Sequence, residues 1–239
     1  MNRRSFFFRS AEIAAAAPVV ANVVAEKKPD IPTTTKTAVA SGDRKIRKGS
    51  LTTFFGKPGC GRSSVLFSAA AAYLDQGVSV KFISCEMIPE AVAARIYFYL
   101  GNEDAFGSLQ VANCLTGCDD INRKLNDIAF SSSPPGVVII DAATYWGVGT
   151  FGVIQKISKM SRELGIQFVV SVPVKREISD REMSDLSINR ISTSLAYMSD
   201  LIFRVDSFMD NAIYVVKDRY SSCGKFLSVK GVCERLLDK

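Results

Sequence analysis

The chain has 239 residues, enough for one α/β domain with a substantial core and short extensions. A hydrophobic fraction of 47% argues against wholesale disorder, and 30 basic against 24 acidic residues, a formal +6, permit a polyanionic partner without demanding one. Histidine is absent, so any general base is a carboxylate or another group, and metal ligation by imidazole is excluded.

The N-terminus opens with "MNRRSFFFRS" and continues as "AEIAAAAPVVANVVA". Arg3-Arg4 followed by Phe6-Phe7 and small residues near Ala25 resemble a twin-arginine export signal. The same residues also read as an alanine-rich amphipathic linker helix that packs on a neighbouring subunit. Glu12 at the edge of the apolar stretch, and the chemistry of the domain beyond it, tip the expectation toward the linker helix and a cytoplasmic protein. Elsewhere no segment approaches the ~18–20 apolar residues of a membrane span, so stable membrane insertion is not expected. Residues 26–44, with two prolines and a threonine run, read as a polar linker, which places the domain itself at 45–239.

From Lys45 onward β-rich and helical runs alternate. "SLTTFF" (50–55) predicts a strand, 63–77 a helix that stops at Gly77, "VSVKFIS" (78–84) a strand, and 89–101 a helix. A helix near 119–129 precedes "GVVIID" (136–141), an apolar strand suited to the buried centre of a parallel sheet. The amphipathic run 151–165 again stops at glycine and leads into "IQFVVSV" (166–172). "LIFRV", "AIYVVKDRY" and "KFLSVKG" predict closing strands, antiparallel to the rest. The alternation implies an α/β fold: a mostly parallel central sheet flanked by helices. The cysteines at 60, 85, 114, 118, 223 and 233 form no C-x-x-C pair, and free thiols in a reducing compartment are expected.

The chemistry concentrates around "FFGKPGCGRSS" (54–64), which fits the phosphate-loop pattern G-x-x-x-x-G-K-[ST] except that Arg62 stands at the lysine position. The loop lies between a buried strand and the first turn of a helix, where converging N–H groups and the helix dipole favour an anion. Gly56, Gly59 and Gly61 allow the backbone to curl around phosphates, with Lys57, Pro58, Cys60 and Ser64 completing the loop. Ser63 is placed to reach Mg2+. Arg62 can neutralise phosphate charge, but a planar guanidinium does not fit the space of a compact ammonium, so retained binding with slower hydrolysis is expected. Asp141, ending the apolar strand, is the second candidate for Mg2+. Glu86, ending "FISCE", is the candidate to orient or deprotonate an attacking water, although solvated turns also carry such carboxylates. In a parallel sheet both strand ends emerge at the edge where the loop sits.

In this order and spacing the chain, from about Lys45 to Gly231, resembles the RecA-like ATPase domain of DnaB-type replicative helicases, especially phage ones. "RKGSLTTFFGKPGCGRSS" is similar to the family's strand and Walker A loop, "FISCEM" to its S-x-E-M strand end, and "VVIIDAATYW" to Walker B. "VVKDRYSSCGKF" resembles its K-x-R-x-G strand end. The resemblance implies ATP and Mg2+ as cofactors, a catalytic role for Glu86 and Arg62, and a homo-oligomeric ring, a hexamer, in which Lys217 and Arg219 contact the γ-phosphate of the adjacent subunit. It implies single-stranded DNA as a partner, with two loops at 142–152 and 174–192. Lys175, Arg176, Arg181 and Arg190 are the candidate phosphate contacts there, and Tyr145 and Trp146 could stack on bases or pack under the loop. A primase or helicase loader is the further partner implied. The chain departs from the family at Arg62, at Ser171-Val172-Pro173, where the family has a glutamine after the serine, and in lacking a counterpart of the N-terminal primase-interacting domain. An alternative from another class is an ATP-binding, weakly hydrolysing accessory protein of replication or recombination.

Overall fold

A computed structural model describes residues 48–114, 117–143, 150–174, 193–210, 212–219 and 223–237. The strands are β1 (Leu51–Gly56), β2 (Val80–Ser84), β3 (Leu109–Asn113), β4 (Val137–Asp141), β5 (Gln167–Pro173), β6 (Leu201–Ser207), β7 (Ala212–Asp218) and β8 (Phe226–Leu227). The α-helices are α1 (Arg62–Asp75), α2 (Pro89–Tyr99), α3 (Cys118–Ala129), α4 (Thr150–Leu164), α5 (Thr193–Met198) and α6 (Val229–Leu236). A 3-10 turn over Glu103–Ser108 leads into β3.

The strands form one eight-stranded sheet in the order β3-β2-β4-β5-β1-β6-β7-β8. The first six run parallel, and β7 and β8 are added antiparallel. β1 and β4 are buried at every residue, as expected of strands covered on both faces; β4 is apolar up to its final aspartate, and β1 buries Thr52 and Thr53 among its apolar residues. One apolar layer joins Leu51, Ile140 and Phe168 to α3, α4 and α5 through Ile121, Leu125, Ile154 and Leu195. The other joins Phe54, Phe82 and Phe203 to α1, α2 and α6 through Leu66, Val92, Ile96 and Val232. The core is thus two apolar layers either side of the sheet. α1 is apolar on most of its surface because it is buried by the sheet and by contacts with both α2 and α6. It ends at Gly77, whose φ of 74° is the left-handed conformation that stops a helix, and the Gly77 N–H closes on Leu74 O at 2.8 Å.

Two sequence expectations need correction. "KFLSVKG" is not a strand throughout. Only Phe226 and Leu227 pair with β7, after which Ser228 caps α6, its Oγ accepting the Gly231 N–H at 3.2 Å. The edge strand β3 is absent from the sequence expectations, because its half-buried residues carry no clear alternation. The N-terminal segment and linker lie outside the described residues.

Candidate nucleotide site at the sheet edge

The site assembles at the C-terminal edge of the parallel strands. β1 ends at Gly56, the loop turns through Gly59 and Gly61, with φ of 82° and 89°, and α1 begins at Arg62 with Gly61 as its N-cap. The glycines serve different purposes. A Cβ on Gly61 would lie 2.3 Å from Phe208 Cβ, and one on Gly56 would lie 2.4 Å from Val205 O and 2.7 Å from Cys60 Sγ. Around Gly59 nothing lies within 4 Å of such an atom. Gly56 and Gly61 are therefore demanded by the end of β6 and the turn after it, which back the loop. Phe208 N–H also donates to Cys60 O at 2.9 Å, tying that turn to the loop. Gly59 needs its positive φ and leaves its outer side open. Burial pushes the Cys60 thiol up, and the nearby Arg62 charge partly opposes this.

Arg62 turns back into the loop. Its guanidinium Nη1 donates to Gly56 O and to Lys57 O, the latter at 3.1 Å. Its Nε is buried with no acceptor among the described residues. Here the arginine braces the curl from inside. The next residue, Ser63, points across the sheet edge, and its Oγ donates to Asp141 Oδ2 at 2.7 Å. Asp141 is 1% exposed and ends β4, pairing in register with Ser84 at the end of β2. Cys85 N–H donates to Asp141 O at 3.1 Å, so the chain one residue before Glu86 is held against Asp141. Ser84 Oγ accepts the N–H groups of Glu86 and Met87 at 3.3 and 2.9 Å, which fixes the turn and leaves Glu86 exposed at this edge. The loop, Ser63, Asp141 and Glu86 thus converge on one edge.

No protein-family model matches the chain, and no curated protein sequence matches it. Solved structures do. One of them, an ATPase domain, superposes over 90% of this chain and 94% of its own, with a TM-score of 0.55 and 15% identity. A DnaB-like replicative helicase, solved in work on its interactions with primase, superposes over 89% of this chain and 64% of its own, with a TM-score of 0.57 and 15% identity. The chain has the RecA-like fold of DnaB-type helicase ATPase domains.

Within this DnaB-like fold, Lys217 and Arg219 lie toward the opposite edge from the loop. β7 runs antiparallel to β6, so Lys217 pairs with Ile202, and Thr52 at the start of β1 pairs with Leu201. Ile202 in turn pairs with Thr53, so Lys217 stands about 10 Å along the strands from Gly56, and Arg219, whose N–H donates to Asp200 O beside the start of β1, about 17 Å. Both are engaged locally. Lys217 Nζ donates to Ala196 O at 2.7 Å, Arg219 Nη2 to Tyr197 O at 2.8 Å, and Arg219 Nη1 pairs with Asp200 Oδ1 at 3.1 Å. Burial lowers the Lys217 pKa, with the Arg219 charge adding to the effect. Asp200 also accepts the Leu51 N–H at 2.9 Å, locking this corner to the start of β1. Val172, at the position where the family has glutamine, pairs in register with Phe55 and packs against the core. Lys175, Arg176, Arg181, Arg190, Tyr145 and Trp146 lie outside the described residues.

Three contributors escape a reading of the sequence. Phe208 and Val205 back the loop from β6 and its turn, and nothing local in the sequence marks them. Ser171 Oγ donates to Asp141 Oδ1 at 2.5 Å. The sequence marks it as the serine before Val172 in the stretch that departs from the family, but not as a partner of Asp141.

Proposed function

We propose that this chain is an ATP-dependent, DnaB-like helicase or translocase acting on single-stranded DNA in phage or mobile-element replication. In this reading residues 45–239 are the ATPase domain, and residues 1–44 supply a linker by which copies hold one another in a hexameric ring. The observation that carries the reading is the Ser63–Asp141 contact at 2.7 Å, which joins the loop hydroxyl to the buried acid at the end of β4.

The donor set fits Mg2+. A serine hydroxyl and one carboxylate are hard oxygen donors, and Mg2+ typically takes one or two such protein groups, with phosphate oxygens and waters completing its shell. Bound there, Mg2+ would neutralise charge on the β- and γ-phosphates of ATP. The chain's own residues supply the rest. Loop N–H groups and the dipole of α1 attract the phosphates, and Arg62 meets them once its guanidinium leaves the carbonyls of Gly56 and Lys57. Glu86 orients a water and takes its proton as the oxygen attacks the γ-phosphorus and the bond to the bridging oxygen breaks. Lys217 and Arg219 act on the site of an adjacent copy, since they lie toward the opposite edge of the sheet from their own loop and bond carbonyls there. Lys175, Arg176, Arg181 and Arg190 contact DNA phosphates, and a primase or loader is a further partner of the ring.

A second reading is an ATP-binding accessory protein, a loader or regulator with little turnover. The observation favouring it is that Arg62 is committed to loop carbonyls, with apolar Val172 in place of the family's glutamine. Steady-state ATP hydrolysis with and without single-stranded DNA separates the two. DNA-stimulated turnover that Glu86→Gln abolishes supports the motor, whereas nucleotide binding without turnover sinks it in favour of the accessory protein. A rise in turnover with Arg62→Lys identifies the arginine as an attenuation.

A further inference from the structure

Both carboxylate oxygens of Asp141 accept a hydrogen bond. Ser63 Oγ donates to Oδ2 and Ser171 Oγ donates to Oδ1. The Ser171 oxygen also accepts the Ala142 N–H at 2.9 Å. An ionised carboxylate can only accept, and the Ala142 bond is consistent with the direction this sets. An amide N–H can only donate, so the Ser171 hydroxyl accepts there and its own hydrogen is left for Asp141. Both side chains are buried, Ser171 at 0% and Asp141 at 1% exposure, so no bulk water competes. Ala142 has a φ of 61°, and among the described residues it is the one non-glycine with positive φ. Such a conformation persists where its surroundings impose it, and it clusters at working sites.

We propose that Ser171 is a positioning residue for the divalent cation, acting through Asp141. This rests on the nucleotide reading of the same edge. The terminal torsion of an aspartate is soft, so an untethered carboxylate could present either oxygen. Ser171 holds Oδ1 and leaves Oδ2 facing Ser63 and the loop. When the Ser63 hydroxyl turns toward a cation, Oδ2 is released to face it or one of its waters, while Oδ1 stays tethered. Because Ser171 lies on β5 and Asp141 on β4, the tether is carried by the rigid sheet and not by the loop.

The test is binding of a fluorescent ADP analogue to the full chain, titrated with Mg2+, and with Mn2+ followed by electron paramagnetic resonance. Loss of an outer partner of a metal-facing ligand typically weakens metal affinity 10–100-fold. Ser171→Ala is expected to leave metal-free ADP binding within about twofold, and to raise the Mg2+ and Mn2+ needed for half effect at least about tenfold. Ser171→Thr, which keeps the hydroxyl, is expected to restore most of that loss. The double variant Ser171→Ala with Ala142→Gly relieves the backbone at 142 and safeguards folding. It retains the metal defect if Ser171 acts through the carboxylate, and recovery in this variant overturns the proposal in favour of a backbone role. A folded Ser171→Ala with wild-type metal dependence also overturns it, provided Asp141→Asn shifts that dependence. If Asp141→Asn and Ser63→Ala leave metal dependence unchanged too, the cation site itself falls, and the proposal with it.

Discussion

Replacing Gly61 by alanine separates two reasons for a glycine in the loop. At φ 89° any L-residue is strained, and the new Cβ would meet Phe208 Cβ at 2.3 Å, far inside contact distance. The left-handed backbone costs about 1–2 kcal/mol and forced overpacking about 1–3 kcal/mol, so Gly61→Ala should destabilise the chain by about 2–5 kcal/mol. Gly59→Ala has the same kind of φ, 82°, but nothing within 4 Å. It should show only the backbone part, about 1–2 kcal/mol. Urea unfolding followed by circular dichroism gives both values from midpoints at constant slope. Adding Phe208→Gly to Gly61→Ala tests the origin. It should make the Gly61→Ala penalty, measured against Phe208→Gly alone, fall to that of Gly59→Ala. Equal penalties at Gly59 and Gly61 in the presence of Phe208 would refute the claim that the turn after β6 dictates this glycine.

Three further outcomes are expected. Arg219→Ala copies and Glu86→Gln copies, each inactive alone, should regain ATP hydrolysis when mixed, because an interface pairing the intact Glu86 of one copy with the intact Arg219 of another is complete; no recovery in a mixed oligomer contradicts action across the interface. Asp200→Ala leaves the Leu51 N–H of a buried strand without its acceptor and removes the ion pair with Arg219, which keeps its bond to Tyr197 O, so denaturant unfolding should register a loss of about 1–3 kcal/mol. Burial pushes the Cys233 thiol from its ordinary 9.0 up to about 12 and Cys114 up to about 11. Above pH 9 the unfolded chain therefore sheds thiol protons that the folded chain keeps, and stability falls as pH rises, by at most about 1.4 kcal/mol per pH unit for each thiol. Cys233→Ala should shallow that decline between pH 9 and 10, measured by urea midpoints.

The loop and its acidic partner are legible in the sequence because their signals are local. A run of apolar residues ending in a carboxylate predicts a central strand with Asp141 at its edge, and glycines before a helix predict the turn. The end of the chain is less legible. Val229, Val232 and Cys233 look β-prone, but the Ser228 cap and the spacing of Val232 and Leu236, four residues apart and buried together, make a helix. The direction of Arg62 is not readable either. A sequence says that a guanidinium follows Gly61, whereas only packing decides that it bonds Gly56 O and Lys57 O. Likewise Ser171 reaches Asp141 across 30 positions, and Phe208 reaches Gly61 from the turn after a strand distant in sequence. Such long-range contacts leave no periodic trace, so the glycines read as phosphate-binding devices when two of them answer to neighbouring backbone and side chains.

Binding of ATP to the full chain with and without Mg2+, by isothermal titration, goes most directly to whether this edge is a nucleotide site. Saturable binding is expected at one nucleotide per chain, weakened at least about tenfold by removing Mg2+ and to a similar extent by Asp141→Asn. No binding at millimolar ATP, or equal binding by folded wild type and Asp141→Asn whatever the Mg2+ concentration, would contradict the assignment.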